Sequence, residues 1–300
     1  MNFEIAVGEQ VFKNPLVLAS GTFGYGLAYP EVINKVGVMV TKGISVKPKR
    51  GNPPPRIWDS LETVVNSVGL ENVGLNKFCQ SVLPSLKTST PIFVNLAGVA
   101  YDDFEILLKE LGADDRVAGF ELNLSCPNVK EGGVALGQNP ETVESVTALS
   151  RSLTAKPLWV KLTSNFCDVR ATSIAAEKAG ADAVVLVNTL NALIIDLNKK
   201  KPFLGAGSGG LSGPALKPHI LYIVREVSHK LSIPVIASGG ALSGWDVAEY
   251  LLAGATMVEL GSVNLTDPWA AVRVLKEFES YCVGKGLSSP AELIGKLEEI

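Results

Sequence analysis

Short apolar runs interleaved with segments of helical periodicity constrain this chain more than any other feature. Eight such runs lie at 16–19, 38–41, 92–96, 120–123, 158–162, 183–188, 235–238 and 258–260. Each is a near-continuous stretch of aliphatic and β-branched residues, the pattern of parallel strands buried on both faces. Amphipathic stretches at 103–111, 141–153, 169–179, 216–231 and 269–281 lie between them. Eight strand–helix alternations without a break predict an α/β fold, a closed (β/α)8 TIM barrel. An open doubly wound sheet is the alternative, but it usually carries fewer units.

Two local echoes support the count. Ala179-Gly180-Ala181-Asp182-Ala183 and Ala253-Gly254-Ala255-Thr256-Met257 each end a helix and enter a strand, with the glycine placed as a helix C-cap. Ahead of the first strand, 3–7 and 10–12 flank Gly8-Glu9 and predict an N-terminal β-hairpin plugging the barrel floor. The proline-rich stretch 47–56 lies between strand and helix signals and is expected to be a stiff loop, not a linker. Residues 1–300 are thus expected to form one domain.

Composition narrows the function. With 27 basic and 30 acidic residues spread along the chain, no basic stripe predicts a nucleic-acid surface. The four cysteines, Cys79, Cys126, Cys167 and Cys282, have no paired ligand spacing, so neither a disulfide framework nor a zinc or iron–sulfur site is expected. No metal site is expected from the two histidines either. The start lacks a signal-peptide pattern and no apolar run reaches membrane-spanning length, which predicts a soluble cytoplasmic protein.

Barrel enzymes carry their chemistry at the carboxyl ends of the strands. In order, those ends are Ser20, Lys42, Asn95, Asn123, Lys161, Asn188, Gly239 and Gly261. Six of the eight are polar or charged, and the two lysines point to an electron-rich or anionic ligand. The last two ends open glycine turns, Ser238-Gly239-Gly240 and Leu260-Gly261-Ser262, where backbone N–H groups can approach a phosphate. Helix-start signals follow both turns, Ser243 with Asp246 and Asp267 with Pro268. Gly205-Ala206-Gly207-Ser208-Gly209-Gly210 satisfies G-x-G-x-x-G but does not join a buried strand to a helix, so it is read as a mobile loop over the barrel mouth.

The segment Glu121-Leu122-Asn123-Leu124-Ser125-Cys126-Pro127-Asn128-Val129-Lys130-Glu131-Gly132-Gly133 holds a thiol just past the fourth strand among amide side chains. A thiol there can take a proton; a nucleophilic role would need an activating histidine, and neither histidine is obviously placed for it.

At these residues the chain resembles the class 1 dihydroorotate dehydrogenases. Asn66-Ser67-Val68-Gly69-Leu70-Glu71-Asn72, Val187-Asn188-Thr189 and Gly209-Gly210-Leu211-Ser212-Gly213-Pro214 carry the resemblance too, along with the two glycine turns. The lysine and two glycines after the cysteine are similar to the NAD-linked, two-subunit class 1B. The resemblance implies oxidation of dihydroorotate to orotate in pyrimidine biosynthesis, with FMN as cofactor. It implies FMN contacts from Ser20, Lys42, Gly43, Asn95, Asn123, Lys161, Val187, Gly213, Gly239, Gly240, Gly261 and Ser262, with Lys161 at the flavin pyrimidine edge. Substrate contacts are implied for Lys42, Asn66, Ser67, Val68, Gly69, Leu70, Asn123, Asn128, Asn188 and Thr189. Cys126 would be the base. Electrons would pass to NAD through a partner subunit carrying FAD and an iron–sulfur cluster, with two barrels paired in a heterotetramer. Lys42-Gly43-Ile44, Asn191-Ala192-Leu193-Ile194 and 205–208 depart from the family's common pattern. The alternative readings are a fumarate-using class 1A enzyme, a Schiff-base aldolase built on Lys161, and a non-enzymatic flavin- or phosphate-binding module.

Overall fold

The computed structural model describes residues 2–60, 63–125, 130–131 and 134–298. Eight parallel strands close into a barrel: β1 (Leu16–Leu18), β2 (Val38–Val40), β3 (Ile92–Leu96), β4 (Gly119–Asn123), β5 (Leu158–Lys161), β6 (Ala183–Leu186), β7 (Val235–Ser238) and β8 (Met257–Leu260). Each pairs with its sequence neighbour, and β8 returns to β1. The helices expected between strands are α1 (Tyr101–Gly112), α2 (Pro140–Leu153), α3 (Val169–Lys178), α4 (Lys217–Ser228), α5 (Gly244–Leu252) and α6 (Ala270–Gly284).

Strand alternation sorts the apolar residues into two cores. Phe120 and Leu122 of β4, Val160 of β5 and Val258 and Leu260 of β8 face outward, against Leu107, Val143, Val224, Leu251 and Phe278 of the helices. Burial of each such side chain contributes about 1.5–3 kcal/mol. The intervening residues face the barrel axis. At the amino-terminal end Phe93, Trp159, Ile236 and Met257 fill the interior with Phe12 of the hairpin, whose strands are Ile5–Val7 and Gln10–Phe12. The Phe93 and Trp159 rings lie 4.1 Å apart, and Phe12 meets Trp159 at 6.1 Å. The expected floor plug is therefore present.

Helix ends follow local chemistry. Gly180 (φ 91°) and Gly254 (φ 109°) take the left-handed turn that a side chain disfavours, ending α3 and α5. Ser243 and Asp246 form the expected capping box. The helix signalled by Asp267-Pro268 begins at Ala270, with the Asp267 carboxylate accepting from the Trp269 N–H at 2.9 Å.

The barrel mouth carries an antiparallel sheet of Ile57–Ser60, Thr63–Asn66, Gly209–Ser212 and Leu190–Ala192. This corrects the reading of 205–210 as a mobile loop. Gly210 pairs with Asn66 and Asn191, and the Gly205 N–H donates to Pro55 at 2.8 Å. Glycine is required there by close approach: a Cβ on Gly210 would lie 2.0 Å from Thr189 Oγ1. The 47–56 loop is pinned as expected, Arg56 pairing with Glu71 at 2.7 Å and donating to the Arg50 carbonyl.

Candidate active site

The same alternation that fills the barrel floor with aromatics places polar side chains at its carboxyl end. Asn95 of β3, Glu121 and Asn123 of β4, Lys161 of β5, Ser238 of β7 and Glu259 of β8 all point inward and are nearly or fully buried. Registers set the pairs: Asn95 faces Glu121, Asn123 faces Lys161, and Ser238 faces Glu259.

The Lys161 ammonium donates to Glu259 at 2.5 Å and lies 4.0 Å from Glu121. Burial alone would lower the lysine pKa, but the Glu121–Glu259 pair outweighs it and raises the pKa overall. Glu259 also accepts from Ser238 at 2.7 Å, and Glu121 accepts from the Asn95 amide at 2.6 Å. Desolvation and the Glu259 charge push the Glu121 carboxyl well up. Burial opposes ionisation of Glu259 too, yet Lys161 prevails and holds it down. A lysine with a raised pKa is a poor imine-forming nucleophile, which counts against the Schiff-base reading.

Above this layer runs a relay of amides and hydroxyls. Ser125 donates to Asn123 at 2.8 Å, Asn188 donates to Ser125 at 2.6 Å, and the Thr189 N–H donates to Asn188 at 2.8 Å. Asn165 steadies the end of the relay, donating to the Thr189 carbonyl at 2.9 Å and accepting from the Asn191 N–H. Lys42 is half-buried at the end of β2 and has no ion-pair partner among the described residues. Gly43 beside it is explained by space: a Cβ there would lie 2.7 Å from Asn95 Oδ1.

Residues 66–70 are held as a fixed arch. Asn52 donates to Ser67 Oγ at 2.8 Å, and a Cβ on Gly69 would strike Asn52 at 2.5 Å. Asn72, buried, donates to Leu70 and accepts from the Ser45 N–H, which fastens the arch beside the end of β2. Asn66 reaches the Gly210 carbonyl at 3.5 Å.

The glycine turn after β8 adjoins the loop carrying Ser20, and the turn after β7 lies one strand further round the barrel. Gly239 (φ 123°) and Gly240 (φ 75°) are strained for any side chain, and the Tyr250 hydroxyl donates to the Gly239 carbonyl at 2.6 Å. Asn264 donates to the Leu260 carbonyl at 2.7 Å and to Thr22 Oγ1 at 3.1 Å, which ties the β8 turn to the loop carrying Ser20. A Cβ on Gly261 would meet nothing within 4 Å, so this turn faces open space. Gly213 (φ 130°) ends the mouth strand just before α4, whose first residue Lys217 packs against Gly240. Val187, buried, continues β6 to Asn188.

Cys126 and Asn128 lie outside the described residues. Glu121, Glu259, Asn165, Asn72 and Tyr250 were not anticipated as site residues, although Glu121 and Asn72 lie within the motifs singled out above. Glu121 and Glu259 did carry a signal: a carboxylate inside an otherwise apolar strand must face a partner.

With this geometry in place, comparison with known proteins is decisive. The sequence pattern described as dihydroorotate dehydrogenase matches residues 3–281. The chain belongs to the dihydroorotate dehydrogenase family. It is 44% identical over 289 residues to the protein of Geotalea daltonii named dihydroorotate dehydrogenase B (NAD(+)), catalytic subunit, covering 95% of each chain. Proteins of the same name from Geobacter sulfurreducens and Caldicellulosiruptor saccharolyticus are each 42% identical over 300 residues, covering 99% of this chain and 98% and 99% of theirs. The crystal structure of DHODH in complex with ferulenol from Eimeria tenella shares the fold, with a TM-score of 0.80 at 24% identity over 98% of this chain and 88% of that one. No helix among the described residues is long and apolar enough to cross a membrane.

Proposed function

We propose that this protein is the catalytic subunit of an NAD-linked dihydroorotate dehydrogenase, a single-domain barrel that oxidises dihydroorotate to orotate in pyrimidine biosynthesis. The observation that carries the reading is the mouth of the barrel. A held ammonium, Lys161, lies below a relay of Asn123, Ser125 and Asn188, in a chain whose curated relatives are named as that subunit.

The donor set fits FMN. The open turn at Gly261-Ser262, with Gly239, Gly240, Gly213 and Ser20 around it, offers a cradle of backbone N–H groups for a phosphate. Lys42, Gly43, Asn95, Asn123, Lys161 and Val187 would line the flavin ring. FMN, when bound, supplies a two-electron acceptor for the hydride equivalent leaving C6 of the substrate. Lys161, charged in the resting protein, stabilises negative charge arriving at its end of the site.

The substrate is flat and carries amide-like edges and a carboxylate. Asparagine amides offer both a donor and an acceptor, so Asn66, Asn123, Asn128 and Asn188 suit the ring, with Thr189 beside them. Lys42, uncompensated among the described residues, suits the carboxylate. The arch Asn66-Ser67-Val68-Gly69-Leu70 closes the site from above. Cys126, as thiolate, acts as the base that takes the proton from C5.

Electron delivery to NAD is assigned to a separate subunit carrying FAD and an iron–sulfur cluster, in a heterotetramer built on two paired barrels. Among the described residues no group of His, Cys, Asp and Glu could hold a metal ion. An acceptor assay tests this part. The barrel alone is expected to turn over poorly with NAD and the reconstituted complex efficiently; efficient NAD reduction by the isolated chain would refute the two-subunit reading, and efficient fumarate reduction would assign it to class 1A.

A further inference from the structure

Beneath the candidate site, the hydrogen bonds of the two buried carboxyl groups leave one oxygen over on each. Glu259 Oε2 accepts from both Lys161 and Ser238, and Glu121 Oε1 accepts from Asn95. Glu121 Oε2 and Glu259 Oε1 are buried and have no donor. Both carboxyl groups face the same ammonium, with Lys161 Nζ 2.5 Å from Glu259 Oε2 and 4.0 Å from Glu121 Oε2. An ionised carboxylate only accepts, so with both groups ionised these buried oxygens have nothing to pair with, whereas a protonated carboxyl can donate. One proton on the pair relieves this.

Charge leads to the same result. The charged groups facing Glu121 are Glu259 on β8 and Lys161 on β5; Asn95 on β3 and Ser238 on β7 are neutral. With both carboxyls ionised, a fully buried cluster would carry one net negative charge, which a low-dielectric interior strongly disfavours. With one proton it is neutral.

We propose that Glu121 and Glu259 share a single proton and, as one singly charged unit, position the Lys161 ammonium under the site. The proton resides on Glu121, because Glu259 has the lysine and the serine hydroxyl to stabilise its charge. Both glutamates are positioning residues that act through Lys161. The unit also sets how much positive charge the site presents to a bound flavin, a consequence that rests on the FMN reading above.

Glutamine is an isostere of the protonated carboxyl, so either single variant can keep the neutral arrangement, the remaining glutamate carrying the charge. Infrared spectra of the native chain at neutral pH, with or without flavin, should show the carbonyl stretch of a protonated carboxyl, shifted in deuterium oxide. Glu121→Gln and Glu259→Gln should each abolish it. Absence of the band in the native chain, or its survival in both variants, overturns the shared proton whether or not flavin binds. In the flavin-loaded protein, each single variant should leave the ratio of reduced to oxidised flavin at a fixed potential within about twofold. The double variant, with Lys161 uncompensated, should raise that ratio at least tenfold, about 30 mV for a two-electron couple. A tenfold rise in both single variants would mean that both carboxyls are ionised in the native chain, and would overturn the proposal.

Discussion

Replacing Lys161 by methionine removes the cation but keeps most of the side-chain volume. The ammonium that Glu259 holds at 2.5 Å is lost from a site where both groups are almost fully buried. Deleting one partner of a buried pair costs about 3–5 kcal/mol, because the other charge is left without compensation. Unfolding entropy of about 2.1 cal/mol/K per residue over 300 residues gives about 0.6 kcal/mol per degree, so Tm should fall by about 5–8 °C. The loss should depend on pH, with a definite sign. Without the lysine, burial pushes the Glu259 carboxyl up from its present lowered position. A carboxyl with a raised pKa stabilises fully below its unfolded value, and that contribution disappears as the pH rises through the folded value. The Tm difference should therefore be smallest near pH 5 and largest near pH 8, as read by calorimetry on the flavin-free chain. Lys161→Met combined with Glu259→Gln should recover most of the loss, since Glu121 is already protonated. A Tm within about a degree of the native protein at pH 8 would refute the buried ion pair.

Gly261→Leu should fold normally, because its Cβ meets nothing within 4 Å, yet lose FMN on gel filtration; Gly240 is a poorer test, since a Cβ there lies 2.7 Å from the Lys217 backbone nitrogen. Ser125→Ala removes the hydroxyl that joins Asn123 to Asn188, and kcat/KM for dihydroorotate should fall about 5- to 150-fold, the equivalent of about 1–3 kcal/mol, with FMN retained. Cys126→Ala should retain FMN while its reduction by dihydroorotate, followed by stopped-flow absorbance, slows about 10²–10⁴-fold; near-native reduction would remove the thiol from the mechanism.

The barrel was legible because its strands are buried on both faces, so continuous runs such as Ala183–Leu186 stand out from the amphipathic helices between them. The inner layer was less so. Reading 120–123 and 258–260 as uniformly apolar hid the period of two that turns Glu121 and Glu259 toward the axis. Lys161 was anticipated as a strand-end residue, but the carboxyl groups it faces come from strands 40 residues before and 98 residues after it, a juxtaposition that barrel closure alone creates. The mouth sheet was missed for a related reason. Its ladder joins Thr63–Asn66 to Gly209–Ser212 across almost 150 residues, and glycine-rich strands carry no alternation to announce them. Asn72 and Asn165 look like ordinary loop residues until the carbonyls and N–H groups they secure are placed around them.

An anaerobic titration of the purified chain with dihydroorotate tests the account most directly. The protein should carry about one FMN per barrel, and its flavin absorbance should bleach in proportion to the substrate added, with orotate as the product. A chain that retains no flavin, or one whose flavin spectrum is unchanged by excess dihydroorotate, would contradict it.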